Sequence, residues 1–507
     1  MTYLYRLTLH KGENLARNEI RLQYSGFVIF AAKLLSVATG LAFQFMIARN
    51  TTPEEYGLWF NVNDILAYFT LLATVIPFWT MRFAARGKEG AAKTGIVANL
   101  VISTAATAIY LLLTPFITSL LNIPEQYLLL YFLVALQIIE LYSLNALQAC
   151  LQARIPHTIG YGLLIAETCK VVLGYILIIL LKQPLLGAMI SLIVAFSIQI
   201  IYYFKLTSRE LRQKVEWKYV REWVKGSVAN IYNVIGNQIA AFMFILLYYY
   251  GSGDARGYYG AAAQIATVIT YSSFLAFALY PKLLAERKTE DVETALKMVL
   301  MFAIPMTAGA LALPDSFLTL LKVTYVDAVP VLRVLAIDAF IMTMSSFLNF
   351  VLYGLEKVDE KATISFRELT KSKLFLVFSL PYFRSLITLP TTFIVLSVYT
   401  QNQPLTSAFY VSIISLSARF MTFILLCIIV RKMVKMEIPW KNIAKYLFAS
   451  VVMAVILFLL PHPTRIITTL GVTAAGGIIY FGLLMALDKE TRVLVGSVWQ
   501  EMKAKFA

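Results

Sequence analysis

Apolar stretches long enough to cross a bilayer follow one another along this chain with only short polar turns between them. A membrane-spanning helix needs roughly 20 mostly apolar residues. The pattern predicts about fourteen spans, the first six near residues 24–48, 57–81, 94–118, 126–149, 158–181 and 184–204. The others fall near 226–250, 258–281, 298–321, 328–354, 374–399, 404–430, 442–460 and 466–487. Hydrocarbon offers backbone N–H and C=O groups no water, so spans of this length are helices that close their hydrogen bonds internally. The predicted fold class is an all-α polytopic membrane protein. Composition agrees, with 59% hydrophobic and 14% charged residues and a mean hydropathy of +0.73, which excludes a soluble class.

The net charge of +16 changes the picture through its placement. With Met1 in the cytoplasm, fourteen spans return the C-terminus there, and most of the 44 Lys and Arg then fall in cytoplasmic segments. The largest group runs from Lys205 to Lys225, whereas the outer turns at 119–125 and 400–403 have none. This asymmetry follows the positive-inside rule and predicts a multi-pass protein of the cell membrane with both termini cytoplasmic. Anionic membrane lipids are the natural counter-charge, and the placement argues against a nucleic-acid partner. The polar residues 1–23 and the long first apolar stretch read as a retained span, with no clear cleavage site. Cys150, Cys169 and Cys427 are scattered through helices, and His10, His157 and His462 are isolated. That leaves no metal ligand set and no predicted cofactor.

The chain echoes itself at an offset of 200 residues. Gly26 answers Gly226, Gly57 answers Gly257 beside aromatic residues, and Arg82, Ala85 and Lys88 answer Lys282, Ala285 and Lys288. Six spans separate the copies, so both halves enter the membrane the same way, as parallel repeats do. The predicted organisation is an N-terminal lobe at 1–205 and a linker at 206–225. A C-terminal lobe at 226–430 follows, and 431–507 holds the last two spans and a tail. The linker sets Trp217, Tyr219 and Trp223 among alternating charges and predicts an amphipathic helix at the cytoplasmic interface. Two facing six-helix lobes suit a transporter, although duplicated bundles can also be static.

An ionisable side chain in mid-membrane costs about 2.5–3.5 kcal/mol on insertion scales, so each needs a reason. The candidates are Lys33, Asp64, Glu140, Glu167, Lys170, Asp338, Arg384 and Arg419, with Arg82 at the cytoplasmic end of span 2. Lys33 and Asp64 lie on adjacent spans and read equally as a structural ion pair or as a cavity lining that binds an anion through Lys33. Their counterparts in the repeat are Asn233 and Gln264. Glu167 and Lys170, three residues apart, share a helical face and read as local neutralisation. Arg384 has no acid in its own helix and stands between Pro381 and Pro390, which are expected to open that span at a cavity. It is the preferred anion-binding candidate. Arg419 also reads as unpaired, with snorkelling as its escape. Glu140 and Asp338 are expected to hydrogen-bond within bundles. Asn230, Asn233 and Asn237 recur at i, i+3 and i+7, a polar stripe expected to face a cavity. With Gln264 they are candidate cavity lining, although polar residues in spans also bridge helices.

Three stretches carry a family likeness. EEYGLWFNVNDILAYFTLLATVIPFWTMRFAARGK (54–88), GYYGAAAQIATVITYSSFLAFALYPKLLAERK (257–288) and YVDAVPVLRVLAIDAFIMTMSSFLNFVLYGLEKV (325–358) resemble segments of polysaccharide exporters. These are the Wzx-like lipid-linked oligosaccharide flippases of the MOP superfamily, relatives of lipid II flippases and MATE transporters. The stretches cover about a fifth of the chain, and the span count and repeat extend the likeness along it. The resemblance implies two lobes around a cavity that opens alternately to either side. It implies transfer of an isoprenoid phosphate- or pyrophosphate-linked oligosaccharide to the outer leaflet, for polysaccharide or glycan biosynthesis. By position Lys33, Arg82 and Arg384 would take the phosphate, Asp64 would be a possible ion-coupling residue, and spans 13 and 14 would receive the lipid tail. Contacts with glycan assembly enzymes would be made through helices.

The nearest alternative is a MATE-like drug or cation antiporter, a class that usually has twelve spans and favours acids in its cavity. A membrane enzyme is disfavoured, because the outer loops are short and no His–acid grouping appears. The pattern GxxxxGK[ST] is absent, so direct nucleotide hydrolysis is not expected.

Overall fold

The computed structural model describes residues 29–492, apart from 30, 31, 34, 277–289, 356–372, 434–437 and 490. The polar N-terminal segment, Gly26, the repeat positions Lys282, Ala285 and Lys288, and the tail beyond 492 lie outside the described residues. Every regular element among the described residues is helical. Helix α1 covers 35–50, followed by α2 (Pro53–Phe69), α3 (Val75–Ala85), α4 (Ala91–Leu120), α5 (Leu128–Arg154) and α6 (His157–Gly174). Next come α7 (Pro184–Leu206), α8 (Trp217–Gly226), α9 (Val228–Ala241), α10 (Met243–Thr270), α11 (Glu290–Ala312) and α12 (Pro314–Leu321). The remainder are α13 (Val329–Leu355), α14 (Lys373–Ile394), α15 (Pro404–Arg431), α16 (Trp440–Leu459) and α17 (Ile466–Leu487). The chain is an all-α polytopic membrane protein.

Eleven helical stretches among the described residues are long and apolar enough to cross a membrane. Three local features separate that number from the fourteen predicted spans. The stretch Val228–Ala276 contains two of them. They part at Ser252, whose φ of 87° and ψ of 166° break the helical path. A residue with a β-carbon enters that region at a cost, and here the Ser252 hydroxyl accepts a hydrogen bond from the Ala255 amide at 3.4 Å, starting the next helix. The span predicted at 57–81 is divided into α2 and α3, of 17 and 11 residues. The span at 24–48 is described only in part. Lipid-facing side chains such as Leu112, Leu459 and Ile467 stand out from the helices, as expected where the solvent is hydrocarbon.

Two compact units emerge: Met1–Thr51 with Val62–Gln238, and Thr52–Asn61 with Ile239–Ala507. In the first, the gap between α2 and α3 is closed by side chains. The Tyr142 hydroxyl donates to the Phe69 carbonyl at 3.2 Å. Asn99 Nδ2 donates to the carbonyls of Ala73 at 3.3 Å and Tyr142 at 2.7 Å. Irregular backbone at membrane depth survives only where protein satisfies it, and two fully buried neighbours do so here. The linker helix α8 docks on the same unit. Trp223 is fully buried, with Phe83 edge-on to it at 5.4 Å and Tyr219 stacked on it at 5.9 Å. Trp79 Nε1 donates to Ser227 Oγ at 2.8 Å. Glu216 N donates to Thr94 Oγ1 at 2.8 Å, tying the linker to α4.

In the second unit, the start of α2 crosses α10 through glycines. A β-carbon on Gly57 would lie 1.8 Å from the Gly253 carbonyl oxygen, and one on Gly257 would lie 2.0 Å from that of Pro53. The two repeat-related glycines thus form one helix crossing. The last two spans pack on α11, where the Tyr480 hydroxyl donates to the Met301 carbonyl at 2.7 Å. Past the end of α17, burial would raise the Asp488 carboxyl, but hydrogen bonds from Thr491 and Lys445 hold it below the usual carboxylate range.

Gly57→Ala or Gly257→Ala is expected to destabilise the protein by about 3 kcal/mol, because backbone rather than a flexible side chain must give way. Gly471→Ala, where a β-carbon meets nothing within 4 Å, should leave the thermal midpoint of purified protein unchanged or raised. Equal midpoints for all three variants would contradict the crossing.

Candidate functional site

The second unit gathers charge around one buried tyrosine. Tyr259 on α10 is 4% exposed, and the charges of Asp338, Arg419, Arg256 and Arg384 all act on it. They come from four helices: α10 supplies Arg256, α13 Asp338, α14 Arg384 and α15 Arg419. Arg419 Nε donates to Asp338 Oδ1 at 2.6 Å. This corrects the reading of Arg419 as unpaired: its partner lies 81 residues earlier in the chain. Asp338 is hydrogen-bonded within its bundle, as its sequence context suggested.

Arg384 is the group left over. Its Nε is sealed from solvent and has no hydrogen-bond partner. Its charged neighbours are Arg419, which repels it, and Asp338, which attracts it. A buried donor without a partner is rare in folded proteins and calls for an explanation. The expected opening of its span is not seen: α14 runs unbroken through Pro381 and Pro390. A proline removes one backbone hydrogen bond without ending a helix whose neighbours hold it in place. The Ser385 hydroxyl turns back to the Pro381 carbonyl at 2.8 Å.

Arg256 falls in the interval between the spans predicted at 226–250 and 258–281. It is 5% exposed and lies between two rings, with its guanidinium carbon 4.6 Å from the centroids of both Phe60 and Phe244. Ring faces of this kind favour a cation. The signal available beforehand was weak: an Arg next to Gly257 and the Tyr258–Tyr259 pair.

The other candidates divide between the units. Lys33, on the exposed side of its helical segment, Asp64, half-buried on α2, and Arg82, half-buried on α3, belong to the first. The Arg82 guanidinium rests on the Phe78 ring at 4.2 Å. Asn230, Asn233 and Asn237 share α9 in the first unit, and Asn237 Nδ2 donates to the Asn233 carbonyl at 2.9 Å and to its Oδ1 at 3.2 Å. Gln264 is half-buried on α10 in the second unit. Glu167 and Lys170 pair at 2.6 Å, and Glu167 also accepts hydrogen bonds from Ser36 at 3.0 Å and from Thr39. That network neutralises itself, in keeping with a local role. Glu140 accepts from Ser197 at 2.7 Å.

No protein-family model matches the chain, and no curated protein matches it in sequence. Solved structures do match in fold. The lipid II flippase MurJ in an inward closed conformation aligns with a TM-score of 0.59 at 14% identity, covering 92% of this chain and 100% of that one. An inward-facing multidrug resistance MATE family transporter of the MOP superfamily aligns with a TM-score of 0.55 at 14% identity, covering 80% and 98%. A MATE in complex with MaL6 aligns at 0.51 and 15% identity, covering 82% and 96%. The chain therefore shares the fold of these transporter and flippase structures.

Removing one member of the Asp338–Arg419 pair strands the other as a buried charge, at a cost of about 3–5 kcal/mol. Asp338→Asn is accordingly expected to lower the thermal midpoint clearly. Asp338→Leu combined with Arg419→Met should recover most of the loss. A double variant as unstable as the single one would show that the pair is not the element holding α13 to α15.

Proposed function

We propose that this protein is a flippase. It moves an isoprenoid phosphate- or pyrophosphate-linked oligosaccharide from the cytoplasmic to the outer leaflet of the cell membrane by alternating access, in polysaccharide or glycan biosynthesis. The observation that carries this reading is the charge gathered around Tyr259, three arginines against one aspartate. A cation would be repelled by that set, whereas a phosphate would meet the guanidinium of Arg384, whose Nε has no partner in the protein. The same observation disfavours the drug or cation antiporter, although that class shares the fold.

Chemistry supports the substrate class. Each sugar hydroxyl taken into hydrocarbon without a partner costs several kcal/mol, so a glycan headgroup needs polar side chains along its path. Arg384 is the phosphate ligand proposed in the second unit, and Lys33 and Arg82 are the candidates proposed in the first. Asn230, Asn233, Asn237 and Gln264 are proposed to meet the sugar. The lipid tail stays in hydrocarbon against α16 and α17, where Phe448, Val451, Phe458, Leu470 and Ile478 stand exposed. An outward-moving negative charge gains about 2.3 kcal/mol per 100 mV when the inside is negative, so membrane potential can drive the step, with Asp64 as a coupled ion site. The basic cytoplasmic segments would face anionic lipids, with both termini inside. Glycan assembly enzymes would meet the protein through its helices.

The test is flipping of a fluorescent isoprenoid-pyrophosphate oligosaccharide in proteoliposomes. Native protein is expected to move it, and folded Arg384→Ala and Lys33→Ala proteins to lose most of that activity. Efflux of small organic cations without lipid movement would overturn the reading in favour of the antiporter.

A further inference from the structure

The phosphate reading leaves one feature of the second unit unexplained. Helices α14 and α15 form a hairpin joined through the short turn at 400–403. Arg384 lies fifteen residues before Tyr399, and Arg419 lies fifteen after Pro404. Thr388 and Ser415 are each eleven residues from the same two points. In an antiparallel hairpin this register places the two arginines almost level, with Thr388 and Ser415 together one turn nearer the hairpin tip. Thr388 and Ser415 are both fully buried, and neither hydroxyl has a hydrogen-bond partner. Thr392, one further turn along α14, is in the same condition.

Serine and threonine in a helix ordinarily donate back to the carbonyl four residues earlier. Thr391 and Ser397 on the same strand of the hairpin do so at 2.7 Å. A buried hydroxyl that makes no such bond bears a desolvation cost without return. Ser103, Thr107, Ser316 and Ser450 share this condition among the described residues, but Thr388 and Ser415 stand within a turn of a buried arginine donor. The register sets Arg384, Thr388 and Ser415 within about one turn of each other along the hairpin, and each carries a buried donor without a partner: Arg384 Nε, Thr388 Oγ1 and Ser415 Oγ. Behind them Arg419 adds positive charge while Asp338 fixes its position. Donors with a surplus of positive charge and no acceptor of their own suit an oxyanion with several oxygens.

We propose that Arg384, Thr388 and Ser415 form an oxyanion site that takes one phosphoryl group, the hydroxyls adding the hydrogen bonds that a lone guanidinium leaves unmade. This rests on the phosphate-linked substrate proposed above and names its subsite in the second unit.

The test is calorimetric binding to the purified full-length protein, using farnesyl phosphate, inorganic phosphate and farnesol as probes. Native protein is compared with the double variant Thr388→Val/Ser415→Ala, which keeps side-chain shape. The double variant should melt at the same temperature as native protein or higher, because two unpaired buried hydroxyls are gone. It should bind farnesyl phosphate about tenfold more weakly or worse, while farnesol binds neither protein. Tighter binding of farnesyl phosphate than of inorganic phosphate assigns the site to a lipid headgroup. Equal binding of the two, still lost in the variant, assigns it to free phosphate. Equal affinity of native and variant protein overturns the site, as does a native protein that binds no phosphate. If native protein flips the glycolipid and the variant binds phosphate normally, this site fails and the flippase reading survives. If phosphate binding depends on the hydroxyls but no glycolipid moves, the site stands and the flippase reading fails.

Discussion

Hydrocarbon supplies no hydrogen bonds, so every polar group in these helices must find its partner in the protein. That constraint accounts for much of the internal architecture. It is why the gap at Thr70–Thr74 is bridged by Asn99 and Tyr142. It is why Glu167 collects Ser36, Thr39 and Lys170, and why Arg419 turns to Asp338. Several buried polar atoms among the described residues do lack a partner, and of these the Nε of Arg384 is the one that belongs to a cation.

The repeat has a physical consequence as well as an evolutionary look. Gly57 and Gly257, related by the 200-residue offset, lie at one crossing where backbone meets backbone. Residues Thr52–Asn61 therefore belong to the second compact unit although the chain around them belongs to the first. The same stretch carries Phe60, one of the two rings that hold Arg256. A packing contact between repeat copies and the positioning of a buried cation share the same few residues.

Much of the fold was legible in the sequence, because a span announces itself by length and hydropathy alone. The interruptions were not. Residues 70–74, TLLAT, contain no Gly or Pro and read as continuous span, yet the helix is interrupted there: Pro77 has no N–H for the Ala73 carbonyl, and Asn99 Nδ2 donates to it instead. Pro381 and Pro390 pointed to a break that α14 does not make. Of the candidate site, Arg384 was identifiable because a lone Arg in a span demands a reason. Its surroundings were hidden, since the Asp338–Arg419 pair joins residues 81 apart and Arg256 sat in what looked like a turn. Nor did Thr388 and Ser415 differ in sequence from ordinary helix-facing hydroxyls. Their significance lies in which bonds they do not make.

The central claim is that the second unit holds a site for a phosphate carried on a lipid. The most direct measurement is a density map of the protein with an isoprenoid-pyrophosphate oligosaccharide bound. The account predicts phosphate density within hydrogen-bond distance of Arg384, between α14 and α15. Phosphate density elsewhere, with the Arg384 Nε still lacking a partner, would contradict it.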